Sequence, residues 1–203
     1  MKKTWEEITI GEYQEICSVD ADSEVEKKVQ IISILTDMDS DDIRRTNLKE
    51  LFSMIEDAKF ISTSPNADMN YKFELDGKKY GLINDFNYIS AGEWLDAENW
   101  KNDTIGNMHL YAAMLYRPIL SEDGDSYKIE NHQPDGFIRR AELFKDKLGI
   151  NKVHGAQVFF SLFVLESMSN LAVSLTGTKT QKKRTIKRKA TRQALKKNKG
   201  KHS

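Results

Sequence analysis

Tyr71-Lys72-Phe73-Glu74-Leu75-Asp76-Gly77-Lys78-Lys79-Tyr80-Gly81-Leu82-Ile83 carries the clearest β signal in this chain of 203 residues. Asp-Gly tolerates the positive φ angles of a two-residue hairpin turn, and Tyr71, Phe73 and Leu75 alternate with charged residues on the first arm. One face of such a hairpin is apolar and has to be covered. The sequence on both sides reads as amphipathic helix, so the expected fold is a mostly helical α+β body with the hairpin packed against helices. A shorter second hairpin is expected downstream, where Ile119-Leu120 and Tyr127-Lys128-Ile129 flank the acidic loop Ser121-Glu122-Asp123-Gly124-Asp125-Ser126. Those carboxylates resemble an ion site, but no partner ligand is identifiable and a solvated loop is the simpler reading.

Ile8-Thr9-Ile10-Gly11-Glu12-Tyr13 precedes the hairpin and Ile89-Ser90-Ala91-Gly92-Glu93-Trp94 follows it, 81 residues later, with Trp5 and Phe86 each four positions before the hydroxyl residue. In both, a hydroxyl residue and a Glu three positions on form a capping box, which starts a helix. A divergent internal repeat would give two related units, about 1–60 and 84–118, separated by a hairpin at 70–84. Two independent uses of a common cap explain the pattern equally simply.

Other helix signals fill the chain. Ser23 and Glu26 make a further box ahead of Val25, Val29, Ile32 and Leu35, which share a face, and Asn47 precedes Leu48, Leu51, Phe52 and Ile55. The run Asp37-Met38-Asp39-Ser40-Asp41-Asp42 fails as a calcium loop, because Asp42 stands where Gly is required and Leu48 where a bidentate Glu is required. It is expected to be a turn and a helix start. Thr104 is expected to open a helix with Met108, Tyr111, Ala112 and Leu115, stopped by Arg117-Pro118. Asp135 would cap a helix with Phe137, Ile138, Ala141 and Phe144, closed by Gly149. Val153 to Leu175 is the most apolar segment, but Glu166, Asn170 and several serines weigh against a membrane span and for a buried helix.

Little points to chemistry. Nucleophile-elbow, phosphate-loop and dinucleotide signatures are absent, and His109, His132, His154 and His202 lack metal-ligand spacing. Cys17 is the only cysteine, which excludes an internal disulfide, and on a helix it reads as a small buried group. No catalytic residue, cofactor or metal site is assigned. The start of the chain has no leader pattern, which points to the cytosol.

Charge is the strongest functional signal. Of the 31 lysines and arginines, 12 lie in residues 178–203, where there is no Asp or Glu; the preceding residues therefore hold 19 against 31 acidic ones. A body near −12 is followed by an extension, residues 177–203, near +12. Lys182, Lys183, Arg184, Lys187, Arg188, Lys189, Arg192, Lys196 and Lys197 are the candidates for contact with a phosphate backbone or another anionic surface. No aromatic residue interrupts them, so base stacking is not expected. An acidic partner protein, or a neighbouring copy of the chain, is the alternative counter-surface, and a solvated tail with no partner is the bland reading. Trp5, Tyr13, Trp94 and Trp100 are interface candidates, since aromatic residues anchor protein contacts; near helix caps they also serve as core.

The opening Thr4-Trp5-Glu6-Glu7-Ile8-Thr9-Ile10-Gly11-Glu12-Tyr13, the helix with Ile31-Ile32-Ser33-Ile34-Leu35-Thr36, the Tyr71 to Ile83 hairpin and Met114-Leu115-Tyr116-Arg117-Pro118 resemble small proteins of the structural gene modules of tailed bacteriophages, crAss-like phages in particular. The resemblance covers roughly residues 1–175. It implies a non-enzymatic virion protein near the portal vertex and head-to-tail junction, found in the virion and in the host cytoplasm during assembly. Capsid or portal proteins, copies of itself and packaged DNA would be its partners, and a membrane would not. A tail-assembly chaperone is a second role known in such modules, and a non-specific nucleic-acid-binding protein is the alternative that the tail alone suggests.

Overall fold

Each capping-box serine or threonine named above begins a helix. In the computed structural model, which describes residues 1–83, 85 and 88–166, Thr9 caps α1 (Ile10–Ser18), Ser23 caps α2 (Glu24–Thr36) and Ser90 caps α5 (Ala91–Trp100). At Thr9 and Ser90 both halves of the box are made. At Ser23 only the hydroxyl half forms, because the Glu26 carboxylate is taken by Arg44 instead. The acidic run is a turn and a helix start: Asp37 ends α2 with φ 56°, and the Asp39 carboxylate caps α3 (Ser40–Arg45). Asn47 caps α4 (Leu48–Asp57), which a 3-10 turn at Ala58–Ser62 extends.

The first hairpin is β1 (Lys72–Leu75) and β2 (Lys78–Leu82), with Asp76 and Gly77 at φ 49° and 71° in the turn. The second, β3 (Tyr116–Asp123) and β4 (Ser126–Ile129), is longer than the sequence suggested. Its strands run through the acidic stretch almost to Gly124, so Glu122 is a strand residue held by Lys72 and Lys79. The two hairpins make one antiparallel sheet in the order β1-β2-β3-β4, joined where Tyr80, Gly81 and Leu82 lie opposite Pro118, Arg117 and Tyr116.

The covered face of that sheet is aromatic. Phe73 and Tyr80 stand 5.6 and 4.9 Å, ring to ring, from Phe144 of α7 (Pro134–Lys147), and Phe73 is 4.9 Å from Tyr116. Such edge and tilted contacts contribute beyond simple burial. α6 (Met108–Leu115) is buried on nearly every side and passes directly into β3. A last helix, opening at His154, brings Phe160 against Tyr111 of α6. A separate apolar cluster, Val29, Ile32 and Ile43 with Leu51, Met54 and Ile55 against it, joins α2, α3 and α4. Met1–Ser161 forms one compact unit.

Several expectations are corrected. Val25 does not share the buried fate of Val29, Ile32 and Leu35, and Tyr71 is exposed just outside β1, where its carbonyl takes the N–H of Leu82. Thr104 does not open a helix: the Asp103 carboxylate accepts from Gly106 N and builds a turn first, so α6 begins at Met108. Arg117-Pro118 lies inside β3, since the chain is already extended at Tyr116. Asp135 sits in the first turn of α7 behind Gln133 and Pro134. Gly149 is not a left-handed cap, having φ −61°; the chain leaves α7 extended because it pairs with Thr9. Cys17 is exposed rather than buried. Phe86, the apolar segment beyond residue 166 and the basic extension lie outside the described residues.

Gly81 is needed in β2 because the Tyr127 ring lies across it, with the hydroxyl donating to Leu82 O at 2.7 Å; a Cβ at Gly81 would collide with that ring. Gly81→Val is expected to destabilise the fold by about 1–3 kcal/mol through overpacking. A urea midpoint unchanged from the parent would contradict the close approach.

Candidate functional site

Trp5 is buried. Its ring meets Tyr13 and Phe60 edge-on at 5.6 and 5.2 Å, and its indole N–H donates to Thr63 O at 3.1 Å. Tyr13, half-buried, also meets His154 at 6.3 Å, and burial pushes its hydroxyl up to about 12. Trp100 belongs to a different cluster, stacked on Phe137 at 6.1 Å and edge-on to Tyr111 at 5.3 Å. Trp94 is half-buried on α5. Trp5 and Tyr13 are thus brought together, and Trp100 is placed elsewhere among core rings. The candidate lysines and arginines from Lys182 to Lys197 fall outside the described residues.

Sequence reasoning gave no hint of a buried charge cluster. Glu93 is 3% exposed and Arg117 is 2% exposed. One oxygen of Glu93, Oε2, accepts from the backbone N and hydroxyl of Ser90, both at 2.9 Å. The other, Oε1, accepts from the Arg117 guanidinium at 2.5 Å and has His132 Nδ1 3.0 Å away, not aligned as a hydrogen bond. Arg117 also donates to Met114 O at 3.4 Å, and buried Arg140 donates to Ala113 O at 3.1 Å. Desolvation, then repulsion from Arg117, lowers Arg140, while Glu130 opposes the shift. Arg117 is thus paired with Glu93, and Arg140 is held by a backbone carbonyl. Glu12, the matching residue of the first capping box, is only part-buried and gives its free oxygen to Lys2.

The surface that stands out is apolar. α4, the helix expected from Leu48, Leu51, Phe52 and Ile55, leaves Leu48 70% exposed and Phe52 63% exposed. Leu48, Phe52 and Ile55 follow at i, i+4 and i+7 and form one stripe. At Ile55 the stripe enters a groove of about 340 Å³ between α2 and the end of α4, floored by Ile31, Ile55 and Ile61. Lys27 and Lys28 on one side and Lys59 on the other rim it. The sequence signal was there to be read: five apolar residues in a ten-residue helix make a wider band than the small α2–α3 cluster can cover.

Among the described residues no three His, Cys, Asp or Glu side chains gather as a metal site, and no helix is long and apolar enough to cross a membrane. No protein-family model, curated protein or solved structure matches the chain.

Glu93→Gln would leave Arg117 buried without its counter-charge and is expected to cost about 3–5 kcal/mol, whereas Glu12→Gln, at the surface, costs about 1 kcal/mol or less. Equal urea midpoints for the two variants would sink that distinction. His109 and His154 are both held below the ordinary histidine value, mainly by burial; Lys145 adds repulsion at His109. The unfolded chain takes up these protons first, near pH ~6.5, so stability falls as the pH drops through and below that value. The urea midpoint should decline between about pH 7 and pH 5, and His109→Gln with His154→Gln should flatten the decline. A midpoint that rises on acidification would contradict the assignment.

Proposed function

We propose that this chain is a non-enzymatic structural or assembly protein of a tailed bacteriophage, acting by contact. Its folded body binds neighbouring capsid, portal or neck proteins, and its basic extension binds an anionic surface, packaged DNA or an acidic protein face. The observation that carries the reading is the separation of charge, 12 basic and no acidic residues after position 177 against an acidic body. A run of lysines and arginines of this density has a phosphate backbone or another anionic face as its natural counter-surface. The exposed Leu48 and Phe52 stripe supports the other half, since an apolar patch on a soluble body marks a contact site. The resemblance of residues 1–175 to phage structural-module proteins supplies the setting: the virion, and the host cytoplasm during assembly.

A second reading, a non-specific nucleic-acid-binding protein, is favoured by the extension taken alone. Mass spectrometry of particles purified from cells that produce this protein tests the first. Its presence in stoichiometric amount is expected; absence from particles but presence in assembly intermediates would turn the proposal to a tail-assembly chaperone. For the extension, DNA affinity should fall linearly with log salt. Replacing Lys182, Lys183, Arg184, Lys187, Arg188 and Lys189 by Gln in the full chain should make the slope shallower by about 5, at ~0.9 per phosphate contact. A slope that does not change with these substitutions would exclude the extension as the DNA contact.

A further inference from the structure

We infer that the groove between α2 and α4 is a docking site for an amphipathic helix of a partner protein whose flanks are acidic. The inference rests on the reading of the folded body as a protein-binding unit and names its contact. The groove lies between helices, has an apolar floor and shares Ile55 with the row that Leu48 and Phe52 make along α4. A helix laid in such a trough inserts residues at i, i+3 or i+4, and i+7, and the spacing of Leu48, Phe52 and Ile55 offers a matching row.

Charge decides what kind of helix. Lys27 and Lys28 make no ion pair among the described residues, and Lys59 is held 2.6 Å from Glu56 of its own helix. Glu24, at one end of α2, is the acidic member of the lining. A second copy meeting this face symmetrically would set lysine rim against lysine rim, since a two-fold interface uses the same patch on both sides. The basic extension of this chain, near +12, is repelled by the same rim. A helix with apolar residues along one stripe and Glu or Asp beside it satisfies both floor and rim.

The probe is a synthetic peptide of about five helical turns, ~18 residues, with Leu and Phe at i, i+4, i+7 and i+11 and Glu on the flanks. Two control peptides accompany it: the same stripe with Lys flanks, and the Glu-flanked peptide with the stripe changed to Ser. The last control reads whatever the basic extension contributes. Against the full chain, the Glu-flanked apolar peptide is expected to bind about tenfold tighter than either control. Leu48→Asp and Phe52→Asp, both at exposed positions, should each remove about tenfold of that affinity. Lys27→Glu with Lys28→Glu should transfer the preference to the Lys-flanked peptide. Equal binding of all three peptides, or no loss in the Asp variants, overturns the assignment. So does sedimentation showing a dimer that Phe52→Asp dissociates, which would make a second copy the occupant. Peptide binding without presence in particles or assembly intermediates removes the phage reading and leaves the groove; presence in either without peptide binding does the reverse.

Discussion

Glu93 ties α5 to β3 through a single carboxylate. One oxygen caps α5, and the other holds Arg117 at the start of β3, where it lies opposite Gly81 of β2. Moving both charges out of water costs several kcal/mol per ion, so the pair does little for net stability compared with an apolar pair of the same volume. What it does is fix an arrangement. The β2–β3 junction is only three residue pairs long, and a slip by one residue would turn Arg117 to the other face of the sheet, away from Glu93. Arg140 of α7 adds a buried tie to α6 by donating to Ala113 O. The junction between the two hairpins, which the Glu122 ion pairs and the Tyr127 hydroxyl also tie, thereby gains a buried charge that has one acceptable position.

Much of the secondary structure was legible because its signals are local. Thr9, Ser23, Asn47 and Ser90 cap their helices by contacts within three residues, and Asp76-Gly77 makes its turn by its own φ angles. What was not legible depends on partners far along the chain. Gly149 looked like a helix-ending glycine, yet its conformation is set by pairing with Thr9, 140 positions earlier. Asp103, rather than Thr104, governs the entry to α6, because the carboxylate immediately before the expected start captures the Gly106 N–H first. The union of the hairpins into one sheet carries no local signature at all. Nor do the two glycines of the doubled hexapeptide mean the same thing: at Gly11 a Cβ would sit 3.0 Å from Lys145 O of α7, while at Gly92 it would meet only Ser90 Oγ at 3.9 Å.

The candidate contact surfaces divide in the same way. Aromatic identity singled out Trp5 as an anchor, but an indole with a carbonyl 3.1 Å from its N–H and two rings around it is satisfied inside the fold. Leu48 and Phe52 helped to reveal a helix by periodicity, which reports the angle of a stripe but not how much of it is covered. α4 bears Leu48, Leu51, Phe52, Met54 and Ile55, and the packing against α2 and α3 uses Leu51, Met54 and Ile55. The excess is visible only once the size of the partner cluster is known.

An exposed leucine and phenylalanine side by side on one helix invite self-association, and net charge offers no general protection here. The body alone is near −12, but the extension brings the whole chain to zero, so copies do not repel one another at long range. Protection against face-to-face pairing has to be local. Lys27 and Lys28, with Lys59 beside them, supply it at the groove, where burying these ammonium groups against their copies opposes the gain from the apolar area. The same lysines that keep two such faces apart are available to an acidic helix, so one set of charges both rejects the wrong partner and receives the right one.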